Sequence, residues 1–284
     1  MKNIFDASCD PVYALQEPIS HLLYADDLAL MSTSEKGLNN CLSKLKHFCD
    51  TWKLEVNMKN SKVVIFNPSG RKLCTHKFYF DGKEMEVVKS YTYLGLELIS
   101  SGSLWLAKAS LMDKARKSMF PLFSTIPQFQ LTCADAMNLF HSLVRPIALY
   151  NSENWSYFSF QQIEKMKRNE CTLLSLITGS EPDKVLQKFI KFILGVKGSC
   201  TNVATLGELG EYPLILHGLS SLLTFWHRIS NMHNNTLVKK AIDLQAQMGT
   251  DKSEWINTIQ YLLSTLNLDN NFMNPTLVGI DRCI

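Results

Sequence analysis

The sequence predicts an α+β fold, with a strand-rich first hundred residues and helices from there to the end. Three observations predict it. Short apolar runs separated by turn residues occupy positions 19–31 and 63–98. Between them lies one strongly amphipathic stretch, Leu38 to Trp52. After Gly102 apolar residues recur at helical spacing without alternating runs.

The elements follow in order. Residues 1–18 carry no strong period. Ile19–Tyr24 and Leu28–Met31 are apolar runs around Ala25-Asp26-Asp27, which reads as a β-hairpin with acids at its tip. Ser32 and Glu35 form a capping-box pattern for the next helix. In that helix Leu38, Cys41, Leu42, Leu45, Phe48, Cys49 and Trp52 fall at i, i+3, i+4, i+7 spacing and are expected to pack under the sheet. Val63–Phe66 is a buried-type strand closed by Asn67-Pro68-Ser69-Gly70. Phe78-Tyr79-Phe80 and Met85-Glu86-Val87 flank Asp81-Gly82, a strong hairpin signal. Tyr93–Leu98 adds a strand in which Gly95 marks either a bulge or a close backbone approach.

Beyond a composition shift near residue 101, helices are expected over 104–123, 133–150, 160–178, 183–194, 201–209, 214–233, 236–247 and 252–265. Pro146 is expected to kink the second of these or end it early. Residues 266–284 read as a frayed end.

Composition narrows the class. A chain of 284 residues, 46% hydrophobic and 19% charged, can build one or two cored domains. A net charge of +3 does not establish nucleic-acid binding by itself. None of the eight cysteines has zinc-knuckle spacing, which points to no zinc site and to a reducing intracellular compartment, nucleus or cytoplasm. No apolar run follows Lys2, so no signal peptide is expected. The most apolar stretch, Leu214–Trp226, is broken by His217, Gly218, Ser220 and Ser221 and is too short to span a bilayer.

Tyr24-Ala25-Asp26-Asp27 is the feature that carries chemistry. Two adjacent carboxylates repel each other in water, and a turn could avoid them. At a hairpin tip they can face Mg²⁺, which takes hard oxygen ligands and substrate phosphates. Two such ions, about 3.5–4 Å apart, can activate a hydroxyl and stabilise a leaving pyrophosphate. The competing reading is a solvated Asp-Asp turn.

The wider context supplies a resemblance. His21 through Met31 resembles the palm C motif of reverse transcriptases, with the Ala25 variant typical of non-LTR (LINE-type) retrotransposons. Trp52-Lys53-Leu54-Glu55-Val56-Asn57 followed by Ser61–Phe66 is similar to the D motif of that family. Tyr91-Thr92-Tyr93-Leu94-Gly95-Leu96 resembles its primer-gripping strand. Leu143–Tyr150 with Glu153 and Trp155, then Lys191–Val196 and Gly207–Gly210, resemble its thumb.

The resemblance implies a partial palm over 1–101, built of a small antiparallel sheet with a helix. A helical thumb over 102–178 and a C-terminal helical region over 179–284 follow. It implies an RNA-directed DNA polymerase, a nucleotidyltransferase acting on an RNA template, a DNA primer and deoxynucleotides with two Mg²⁺ ions. Asp26 would be the main metal ligand and Asp27 the auxiliary one. Tyr24 would support the tip and touch nucleic acid, and Gly95 would approach the primer.

There are departures from the family pattern. Where the D motif has Lys three residues after its Asn, this chain has Asn60, with Lys59 and Lys62 beside it. Lys62 is the substitute proton donor, against a solvated Lys before a strand. Only residues 1–23 precede the hairpin, and they contain neither the A nor the B motif, so the expectation is a truncated chain that starts in mid-palm and does not polymerise alone.

Basic residues cluster between 53 and 89 and again at Lys108, Lys114, Arg116 and Lys117. Read with the family, the second group offers phosphate contacts along one helix face; read without it, a solvated surface. Two other functions stay open. One is a catalytically dead retroelement remnant that binds nucleic acid or protein, and the other is an unrelated helical interaction protein.

Overall fold

The computed structural model describes residues 4–67, 76–249 and 252–268. The expected turn residues Pro68–Gly70 and residues 269–284 of the expected frayed end lie outside them. The fold is α+β. The chain divides into two compact units, the first ending at Leu104 and the second starting at Trp105.

In the first unit a 3₁₀ turn, Ala7–Cys9, leads into the hairpin β1 (Val12–Ala14) and β2 (Glu17–Ile19). This hairpin lies in the stretch without a period. Its turn is made by Leu15 at φ +57°, a residue type that gives no turn signal. The next hairpin is β3 (His21–Tyr24) and β4 (Asp27–Leu30).

Helix α1 (Glu35–Trp52) is capped by Ser34, whose Oγ accepts the Gly37 N–H at 2.9 Å. The capping box expected at Ser32 and Glu35 is thus corrected. The Ser32 hydroxyl is engaged elsewhere, donating to the Cys9 carbonyl at 2.8 Å and tying the end of the hairpin to the 3₁₀ turn.

Four short strands and one longer pair complete the unit: β5 (Val63–Val64), β6 (Phe78–Phe80), β7 (Lys83–Met85), β8 (Val87–Val88), β9 (Ser90–Tyr93) and β10 (Leu96–Ile99). Asp81-Gly82 closes β6–β7 as expected. The expected strand over Tyr93–Leu98 is instead the turn of a hairpin. Leu94 (φ +47°) and Gly95 (φ +79°) form its two-residue loop, with Tyr93 opposite Leu96. Positive φ at both positions matches the right-handed twist of the flanking strands. An apolar Leu in the first position conceals the signal.

Among the described residues the strands pair only two by two, giving five ribbons, four antiparallel and one, β5–β8, parallel. What joins them is apolar burial. Cys41, Leu42, Leu45 and Cys49 of α1 meet Phe5, Cys9, Val63, Phe78, Phe80 and Met85, with Leu28 and Leu30 of β4 packed at the margin.

The second unit is helical. Its first elements are α2 (Trp105–Ser118), α3 (Phe120–Gln128) and α4 (Cys133–Leu139). The expected helix 104–123 breaks at Met119, because Pro121 suits a first turn and not an interior. The expected helix 133–150 widens after α4 into a π turn, Phe140–Val144, and resumes as α5 (Arg145–Ala148). Pro146 has no N–H for the carbonyl of Ser142 and its ring crowds that oxygen, which explains the widening.

Then come α6 (Ser152–Trp155), α7 (Phe160–Lys167) and α8 (Leu173–Thr178). The remaining helices are α9 (Glu181–Ile193), α10 (Asn202–Leu209), α11 (Leu214–Ser230), α12 (Leu237–Met248) and α13 (Glu254–Thr265). Helices on both sides of residue 178 share one core. α6 lies against α11 where Gly218 faces Ser156. Trp255 of α13 donates its indole N–H to the Glu153 carbonyl at 2.8 Å.

Candidate functional site

The acidic tip is built by the register of one ribbon. His21 pairs with Leu30, Leu22 with Ala29, Leu23 with Leu28 and Tyr24 with Asp27. This leaves Ala25-Asp26 as a two-residue loop, with Ala25 at φ +52°. Leu28 and Leu30 turn toward the core, so β4 anchors the ribbon, while Leu22, Leu23 and Tyr24 are exposed. At the base His21 lies against the Phe5 ring at 5.0 Å, and burial lowers its pKa. Asp26 and Asp27 are both exposed, beside Tyr24, which has 66% of its surface in solvent.

Lys62 stands apart from the tip. Its Nζ pairs with Glu86 Oε2 at 2.6 Å, a bond set up by the parallel β5–β8 pairing. No hydrogen bond or ion pair joins it to Asp26 or Asp27 among the described residues. Lys62 instead lines an open cavity of about 340 Å³ with Lys59, Asn60, Val88, Ser90, Tyr91 and Thr92. Tyr91 closes one side by donating to the Asn60 carbonyl at 2.6 Å. The role of Glu86 was not legible, because no periodicity reveals which distant strand runs parallel to β5. Gly95 sits at the β9–β10 turn and not inside a strand, a correction to the expected position.

The four cations of α2 do not form one face. At about 100° per residue, Lys114, Arg116 and Lys117 fall about 120°, 80° and 180° from Lys108. Ala107, Leu111, Met112 and Ala115 occupy the buried side. Lys108 turns inward, its Nζ 5.2 Å from the centroid of the buried Trp155 ring. Burial lowers its pKa, with Glu181 opposing. Arg116 holds Glu181 at 2.7 Å, and Lys117 pairs with Asp113 at 2.7 Å. The expected common phosphate face is therefore corrected to one exposed cation without an ion-pair partner among the described residues, Lys114, and one in an exposed pair, Lys117.

Asp26 and Asp27 offer the hard oxygen donors that Mg²⁺ takes. Among the described residues no group of three or more His, Cys, Asp or Glu side chains could hold a metal. The pair fits the ion in kind and supplies part of a ligand set.

No solved structure matches the chain significantly. An uncharacterized transposon-derived protein of Caenorhabditis elegans is 25% identical over 149 residues, which cover 49% of this chain. The chain spans about half the length of that relative, 50%. Residues 3–98, which contain the acidic tip, α1, β1 to β9 and most of β10, match the reverse transcriptase (RNA-dependent DNA polymerase) family, and over that stretch this chain is similar to a reverse transcriptase domain.

Proposed function

We propose that this chain is part of the RNA-directed DNA polymerase of a non-LTR retrotransposon. Residues 1–101 would carry the second half of the palm, 102–178 a helical thumb and 179–284 a C-terminal helical region. The observation that carries this reading is the Asp26-Asp27 pair at a hairpin tip inside the stretch that matches the family. Asp26 would hold the metal, with Asp27 assisting. Bound Mg²⁺ supplies positive charge to a primer 3′-hydroxyl and to the leaving pyrophosphate. Tyr24 stacks beside the tip, and the β9–β10 turn at Gly95 steadies the primer end. Lys62 donates a proton only when its pair with Glu86 opens. Lys114 and Lys117 touch phosphates of the RNA–DNA hybrid.

Mn²⁺ shares the oxygen preference of Mg²⁺ and reports its own binding by electron paramagnetic resonance. Added to the full chain with an RNA–DNA hybrid, it is expected to bind, and Asp26→Asn is expected to abolish that binding. Unchanged Mn²⁺ binding in the variant would remove the reading. The wild-type chain is expected to hold hybrid without extending the primer. Two-metal transfer draws on carboxylates from both sides of the ion pair, and Asp26 and Asp27 supply one.

A second reading, a remnant that binds without catalysis, is favoured by that incomplete ligand set. Hybrid binding without any Mn²⁺ at the tip would support it.

A further inference from the structure

An aromatic and basic face on the second unit is used by none of the chemistry above. Phe120 opens α3 with 60% of its surface in solvent. It does not stand loose. Phe123 meets it edge-on at 6.4 Å, and Phe123 in turn contacts Phe192 of α9 at 4.5 Å and the buried Phe189 at 6.3 Å. The row of rings backs Phe120 on the core. The Lys188 Nζ lies over this ring, 5.9 Å from its centroid. Phe192 is also partly exposed, at 39%.

The two sequence stretches that carry these rings contain no acid. No charged side chain occurs from Ser118 to Ala134, which includes all of α3. From Lys184 to Gly207 there are four lysines, Lys184, Lys188, Lys191 and Lys197, and no acid. Lys184 is paired with Glu181, and Lys191 donates to the Gly198 carbonyl at 2.8 Å. Lys188 has no carboxylate partner among the described residues.

We propose that this face binds single-stranded nucleic acid, with a base stacked on Phe120 and Lys188 on an adjacent phosphate. A flat, backed ring beside cations is what an unpaired base with its phosphate needs, and stacking of this kind is tolerant of sequence. A duplex keeps its bases stacked on each other and cannot offer a free face to the ring. Leu122 and Ile126 of α3 are buried in the unit and cannot join Phe120 in entering a membrane. The face needs neither Asp26 nor a metal, so it stands independently of the function proposed above.

The test measures fluorescence anisotropy of a labelled 12-nucleotide oligouridylate with the full chain, at low salt without divalent ions. Phe120→Leu keeps apolar bulk but removes the ring face. It is expected to weaken binding about 5- to 150-fold, the loss of one stacked base, while Phe120→Trp retains it. Lys188→Gln is expected to lower the slope of log affinity against log salt by about 0.7. The proposal is overturned if Phe120→Leu binds like the wild type, or if duplex competes as well as single strand. Binding of phosphatidylserine vesicles with none of oligouridylate would overturn it too.

Discussion

Replacing Asp183 by Asn is expected to make the protein's stability less dependent on pH. Asp183 lies in the first turn of α9, completely buried. Its Oδ1 accepts the Leu214 N–H at 3.3 Å, the first N–H of α11, where Pro213 in the cap position has no side-chain oxygen to offer. Its Oδ2 is buried with no partner among the described residues. Two helix N-termini favour an anion here, each by about 0.3–1 kcal/mol and up to about 2 in buried geometry. Burial outweighs them and raises the pKa from 3.8 to about 6, with the Leu214 hydrogen bond opposing.

The sign follows from that elevation. Because the folded pKa lies above the unfolded one, the folded state binds the proton more tightly. Stability from this group therefore rises as pH falls from above 6 toward 3.8. A shift of about two units is worth about 3 kcal/mol at about 1.4 kcal/mol each. In Asp183→Asn the amide oxygen keeps the Leu214 contact and the charge is gone. Urea unfolding at pH 8 and pH 4.5, followed by far-ultraviolet circular dichroism, compares the two proteins. The variant is expected to gain about 2 kcal/mol relative to the wild type on going from pH 4.5 to pH 8. Any constant offset from the unpartnered amide N–H cancels in that difference. A variant whose difference from the wild type is the same at both pH values would refute the reasoning.

Other perturbations test the packing. Ala25 holds a left-handed conformation that costs an L-residue about 1–2 kcal/mol. Ala25→Gly is expected to stabilise the first unit by up to about 1 kcal/mol in urea unfolding, and Ala25→Val to destabilise it. A neutral valine would mean the loop is not held as described. At Gly218 an added Cβ would lie 2.2 Å from Ser156 Oγ and 3.1 Å from its Cβ, so Gly218→Ala is expected to cost about 1–3 kcal/mol. The Ser156 hydroxyl is buried without a partner among the described residues, so Ser156→Ala is expected to be near neutral and to reduce that cost. An equal cost in both backgrounds would show that the clash is elsewhere. The partly exposed Lys62–Glu86 pair is expected to give a double-mutant coupling below about 1 kcal/mol that 1 M salt removes; a coupling above about 2 kcal/mol would make the pair structural.

What was legible in the sequence and what was not divide along physical lines. The hairpin around Ala25-Asp26, the Asp81-Gly82 turn and α1 were legible because each is written in neighbouring residues. The helical second unit was legible for the same reason, and Pro146 marked its own distortion. The Leu15 and Leu94 turns were not, since a leucine at positive φ gives no local signal. The angular split of the α2 cations was readable from their helical spacing, but their partners were hidden, because spacing alone does not say that Lys108 would find a buried ring and Arg116 a glutamate from α9. In the candidate site, the acidic pair and its exposure follow from local patterning. The Lys62–Glu86 bond depends on a parallel pairing between residues 24 apart.

The pairing of strands two by two has a consequence for how the first unit opens. A lone two-stranded ribbon is marginal in water, because each strand has one hydrogen-bonded neighbour and one free edge. The β3–β4 ribbon persists by packing the half-buried Leu28 and Leu30 against the core of the unit, while its β3 side contributes exposed Leu22, Leu23 and Tyr24. Local opening therefore needs only the release of two leucines, with no need to dismantle the helix. Amide protons of β3 and β4 are thus set to exchange with deuterium well before those at the centre of α1. The two carboxylates ride on that ribbon, so a divalent cation held by them would register as a slowing of exchange at Leu23 and Leu28.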